Sequence, residues 1–149
     1  SLPGERIGYI AISPDMDYYE EVRDGLVVTN RIGSVNAPSL MQLVIKDCLN
    51  ERPKLEVYDN NRKMLYDKLT SIGFECLKPQ GAFYLFVKSP IEDYKRFIEE
   101  GKKQHILMVD AAGFGCPGYV RLAYCVSPEM IERSFPAFDR LAEALKQVQ

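Results

Sequence analysis

Arg121 stands in the run Gly118-Tyr119-Val120-Arg121-Leu122-Ala123-Tyr124, which otherwise alternates like a half-buried strand. Strand alternation sets Tyr119, Arg121, Ala123 and Cys125 on one face and Val120, Leu122, Tyr124 and Val126 on the other, which reads as core. The first face then presents a planar fork of donors that can grip a carboxylate at two points, as a lysine's point charge cannot. By spacing alone, a structural salt bridge is the commoner role for a strand arginine. The glycine-rich loop Gly113-Phe114-Gly115-Cys116-Pro117-Gly118 leads into this run. It lacks the lysine of a phosphate-binding P-loop and the following helix of a dinucleotide site, so it reads as a flexible crossing that positions Arg121. Arg6 follows Gly4 and precedes an apolar run, where a side chain can reach a phosphate from a loop edge; taken alone, it reads more readily as a solvated terminal arginine. Phe83 and Tyr84 read as core and His105 as a surface residue, and none of them is assigned a catalytic role.

Three ordered motifs carry a family resemblance. Ile106-Leu107-Met108-Val109, then Gly113-Phe114-Gly115, then Gly118 to Tyr124 resembles the C-terminal signature of class I/II pyridoxal-phosphate aminotransferases. Pro79-Gln80-Gly81-Ala82-Phe83-Tyr84-Leu85-Phe86 is similar to their P-x-G-(A/T)-F-Y strand entry, and Leu2-Pro3-Gly4-Glu5-Arg6-Ile7-Gly8-Tyr9 to the segment after their cofactor lysine. The resemblance implies that Arg121 binds the α-carboxylate of an amino-acid substrate and that Arg6 contacts the phosphate of pyridoxal 5'-phosphate. It places Arg31, with Ser34 and Asn36, near a neighbouring subunit's active site, where an arginine can take a dicarboxylate's distal group. It sets the lysine that carries the cofactor three residues before Ser1, so the chain by itself is expected to be inactive. One departure stands out: Val109-Asp110-Ala111-Ala112-Gly113-Phe114-Gly115 replaces the family's V-P-G-x-x-F-G, which leaves loop geometry and substrate preference open.

The implied function is transfer of an amino group between an amino acid and a 2-oxo acid by an aspartate-aminotransferase-like homodimer. Two alternatives share the motifs: the effector-sensing aminotransferase-like domain of a transcription regulator, and a pyridoxal-phosphate-dependent carbon–sulfur lyase. The 149 residues carry a net charge of −2 with both signs interspersed, which gives no footprint for nucleic acid or for a basic membrane contact. No apolar run approaches bilayer length and Ser1 to Arg6 lack signal-peptide character, so a cytoplasmic protein is expected. Cys48, Cys76, Cys116 and Cys125 show no C-x-x-C spacing and one histidine leaves no zinc quartet, so the cysteines read as reduced and mostly packed, with no metal site.

The elements that position these residues follow from periodicity. Ile7 to Ile12 reads as a strand covered on both faces, Ser13 to Asn30 as a helix, and Asn36-Ala37-Pro38 as the start of another. Leu55, Tyr58, Leu65, Leu69 and Ile72 form a helical stripe closed by Gly73; Phe74 to Leu77 and Ala82 to Lys88 make a hairpin about the turn Lys78 to Gly81. Ser89-Pro90-Ile91-Glu92 is a capping box for a helix bearing Tyr94, Phe97 and Ile98. Strands follow at Ile106 to Val109 and Tyr119 to Cys125, and a last helix from Ser127 buries Ile131, Phe135, Phe138, Leu141 and Leu145, with a kink expected at Pro136. The expectation is an α+β small C-terminal domain over residues 53–149, a mainly antiparallel sheet with flanking helices. Residues 1–52 before it read as the remnant of a large cofactor-binding α/β domain.

Overall fold

The computed structural model describes residues 4–147. The chain divides into two compact units, Ser1–Pro53 and Lys54–Gln149. Ser1, Leu2 and Pro3, where the first motif begins, lie outside the described residues.

In the first unit the run from Ile7 to Ile12 forms no strand, and Tyr9 and Ile10 are exposed. A strand exists as one side of a hydrogen-bonded ladder, and among the described residues this unit offers no second side. Helix α1 (Tyr19–Gly33) starts later than the expected Ser13, after a turn in which Met16 N donates to Ser13 O at 3.3 Å and a left-handed Tyr18 at φ 58°. Glu20 and Glu21 in its first turn and Arg31 in its last complement the helix dipole. Helix α2 (Ser39–Cys48) follows Pro38, whose fixed φ suits a helix entry. Neither helix buries a residue.

The second unit has its own core. Helix α3 (Leu55–Ser71) lays Leu65 and Leu69 inward, whereas Leu55, expected on the same stripe, is exposed. Its end is a Schellman motif: Gly73 at φ 96°, Phe74 N donating to Leu69 O at 3.0 Å and Gly73 N to Thr70 O at 3.1 Å. Strands β1 (Cys76–Leu77) and β2 (Tyr84–Lys88) pair antiparallel, Cys76 opposite Val87, as the hairpin pattern required. Helix α4 (Tyr94–Lys103) is capped by Asp93, whose carboxylate accepts from Lys95 N and Arg96 N, and not by Ser89. Ser89 is tied elsewhere: its N donates to Gly118 O at 2.9 Å and its hydroxyl to Ile91 O at 2.7 Å.

Strands β3 (Val109–Asp110) and β4 (Tyr119–Ala123) complete a four-stranded antiparallel sheet of order β1-β2-β4-β3. Helix α5 (Pro128–Lys146) begins at Ser127, whose hydroxyl accepts from Met130 N, and runs through Pro136 without a break. One sheet face, with Leu85, Val87, Val120 and Leu122, packs against Leu65, Leu69, Phe97, Phe138 and Leu141 of α3, α4 and α5. Phe135 is only partly buried. The unit is therefore the α+β arrangement of sheet and flanking helices that the alternation implied. Among the described residues no helix is long and apolar enough to cross a membrane. All four cysteines are free; Cys48 and Cys125 are exposed, contrary to the packed expectation, because neither falls on a covered face.

Candidate functional site

Burial alternates along β4 as strand geometry demands: Val120 and Leu122 are buried, while Tyr119 and Arg121 stand half-buried on the opposite face. Arg121 lies in the interior of the sheet, opposite Phe86 on β2 and Val109 on β3. In that register Tyr84 is the diagonal neighbour of Arg121 on the same face, within reach of a long side chain. The guanidinium carbon sits 4.1 Å from the centroid of the Tyr84 ring and 4.0 Å from that of Phe114. Arg121 is thus held between two rings, and among the described residues its donors meet no carboxylate and no hydrogen-bond acceptor. A structural salt bridge, the commoner role by spacing, is absent here.

Phe114 reaches Arg121 because the loop before β4 is tightly hydrogen-bonded. Asp110 Oδ1 accepts from Ala112 N at 2.8 Å and starts a single 3-10 turn, Ala112–Phe114. Phe114 N and Cys116 N both donate to Ala111 O, at 2.9 and 3.1 Å, and Ala111 N donates to Tyr119 O at 3.1 Å. Ala111 is fully buried, and Gly115 and Gly118 take the positive φ values, 77° and 81°, that let the chain turn back into β4. The crossing expected to be flexible is a closed, anchored turn. Phe114 itself remains 53% exposed.

Tyr84 is placed from the other side. The turn before β2 carries Ala82 at φ 57°, a conformation costly for a residue with a Cβ. It is held there by Tyr124, whose hydroxyl donates to Ala82 O at 3.1 Å and whose N donates to Phe83 O at 3.0 Å. Tyr124 is in turn clamped by Asn61 of α3, a fully buried side chain whose Nδ2 donates to Tyr124 O at 3.0 Å and Val126 O at 2.7 Å. Phe83 and Tyr84 were expected to be core and are instead an exposed and a half-buried ring, in contact with centroids 4.9 Å apart. Asn61 was missed, although it falls on the four-residue spacing of Leu65 and Leu69 and so had to point inward.

Arg6 and Arg31 belong to the first unit and Arg121 to the second, so no single unit holds all three. Arg6 is exposed in an irregular segment and Arg31 is exposed in the last turn of α1; neither guanidinium has a hydrogen bond or ion pair among the described residues. His105 is exposed, at φ 62° after α4. A groove of about 460 Å³ lies between α5 and the link from α4 to β3, with Arg133 and Arg140 on its rim. Both are already engaged, Arg133 by Glu129 O and Arg140 by Gln104 Oε1, and Arg121 does not line it. Among the described residues no cluster of His, Cys, Asp or Glu could hold a metal ion.

Among the described residues Arg121 has two ring partners and no acidic one, and relatives with a named activity put that arrangement in context. The family profile described as aminotransferase class I and II matches residues 1–138. The chain is 31% identical to an aspartate aminotransferase of Bacillus subtilis, over 96% of this chain and 38% of that protein. It is 33% identical to the aspartate aminotransferase of Thermotoga maritima, over 97% of this chain and 37% of that one. The crystal structure of an aminotransferase from Eubacterium rectale superposes with a TM-score of 0.83 at 44% identity, covering 96% of this chain and 36% of that chain. The chain thus spans less than two-fifths of the length of these relatives. A match over most of its length, together with the antiparallel sheet and the arginine on β4, means that this chain belongs to the class I and II aminotransferase family.

Proposed function

We propose that this chain is the C-terminal portion of a pyridoxal-phosphate-dependent aminotransferase, which moves an amino group between an amino acid and a 2-oxo acid. Arg121 binds the substrate's α-carboxylate. The observation that carries this reading is the state of Arg121: its guanidinium lies against the rings of Tyr84 and Phe114, and among the described residues no acidic side chain pairs with it. On this reading residues 53–149 are the small domain and residues 1–52 a segment of the large one.

Members of this family depend on pyridoxal phosphate, and the donor set here suits it. Arg6 offers an exposed guanidinium with no ion pair among the described residues, the group that pairs best with a phosphate monoester. The cofactor, when bound, supplies an electron sink for the carbanion left by loss of the substrate's Cα proton. Arg121 grips the α-carboxylate at two points, which fixes the rotation of the substrate and thereby the direction of its Cα–H bond. Arg31 takes the distal group of a dicarboxylate across a subunit interface. On this reading a homodimer is the working unit; a strictly monomeric protein by light scattering would argue against it.

The test is Arg121→Lys in the aminotransferase that contains this chain. Charge is kept while the fork is lost, so KM for the amino acid should rise and kcat/KM fall by about 10- to 100-fold. Unchanged kinetics would remove Arg121 from the site.

A further inference from the structure

We infer that Phe114 and Tyr84 are positioning residues for carboxylate recognition: together they fix the plane of the Arg121 guanidinium so that only its edge is offered to an anion. The inference rests on the reading of Arg121 given above. A guanidinium has two apolar faces and a rim of N–H donors. Here the guanidinium carbon lies over two rings, 4.1 Å from the centroid of Tyr84 on β2 and 4.0 Å from that of Phe114 on the 3-10 turn. The rim has no acceptor among the described residues. Two rings this close to the guanidinium carbon favour approach of a carboxylate along the N–H rim, the geometry of a two-point contact.

The two rings have different support. Tyr84 is fixed by the sheet, in register with Ala123 and backed by Phe83. Phe114 projects from a surface turn, 53% exposed, so core packing does not explain its place. What holds it near Arg121 is the turn's hydrogen bonds at Ala111 and Asp110 together with attraction between the ring face and the cation. An arginine that is ordered before the ligand arrives loses less side-chain freedom on binding.

Four variants of the intact aminotransferase test this. Phe114→Ala and Phe114→Leu should each raise KM for both the amino acid and the 2-oxo acid about three- to tenfold, with kcat changed less than twofold, since ground and transition states lose the same grip. Phe114→Tyr keeps a ring face and should behave as the parent; Tyr84→Leu should resemble Phe114→Leu. A role in packing alone predicts no such difference, with leucine as good as tyrosine. In the isolated chain, the Arg121 Hε proton, shielded by two ring faces, should move downfield in the ¹H–¹⁵N spectrum of Phe114→Leu and stay in place in Phe114→Tyr. If Arg121→Lys raises KM while Phe114→Leu leaves both KM and the Hε shift unchanged, the inference fails and the role of Arg121 survives. If Arg121→Lys also leaves KM unchanged, the underlying reading fails with it.

Discussion

Asn61→Ala should destabilise the second unit by about 2–3 kcal/mol, although it deletes a polar group from an apolar core. Asn61 is fully buried and its amide spends both protons on the carbonyls of Tyr124 and Val126. Stripping the donor leaves Tyr124 O in a buried setting, at about 2 kcal/mol, and Val126 O in a partly buried one where water recovers part of the loss, at about 1 kcal/mol. The small cavity adds about 1 kcal/mol. Against this, Asn61 Oδ1 is already buried without a partner, so its removal returns about 1 kcal/mol. For a unit of this size, unfolding followed by circular dichroism should show the midpoint lowered by roughly 10–20 °C. Asn61→Asp sharpens the test, because a carboxylate would face two carbonyl oxygens. Its folded pKa would be forced above the unfolded value of about 3.9, so stability should fall as pH rises from about 4 toward the folded pKa. A loss under about 1 kcal/mol for Asn61→Ala, or equal stability of Asn61→Asp at pH 4 and pH 7, would refute the reasoning.

Ala82 at φ 57° should tolerate glycine within about 0.5 kcal/mol, since relief of left-handed strain offsets the extra chain entropy, whereas Ala82→Val should lose more than about 1 kcal/mol in urea midpoints. Equal effects of the two would mean that the turn relaxes. Burial, with Glu75 beside it, pushes the Cys76 thiol up to about 11, so an alkylating reagent at pH 8 should label exposed Cys48 and Cys125 well before Cys76, as peptide mass spectrometry would show. Because the folded chain keeps the proton that the unfolded one sheds above its ordinary value of 9.0, Cys76 should make stability fall as pH climbs from there toward about 11; a Cys76→Ser variant with the same alkaline slope would contradict this.

Much of the second unit was written in short-range pattern. The alternation of Val120, Leu122 and Tyr124 against Tyr119 and Arg121, the glycine at position 73 and the Ser127-Pro128 helix start each depend on neighbours within about five residues, so local sequence suffices to determine them. The strand expected at Ile7 to Ile12 failed for the complementary reason: apolar character makes a segment fit for a sheet, but only a partner strand makes it one. The helix cap moved from Ser89 to Asp93 because Ser89 is drawn to Gly118, a residue far along the chain. The arginine was legible as a type in a pattern, and its setting was not. Tyr84, Phe114 and Arg121 meet because β2 pairs with β4 in one register, and a 3-10 turn anchored at Ala111 brings Phe114 against the guanidinium. Register and loop closure are fixed by the whole hydrogen-bonded sheet and its packed face, so sequence determined that an arginine would lie on the face of β4 opposite the core, and tertiary structure alone decided that two rings would lie against it.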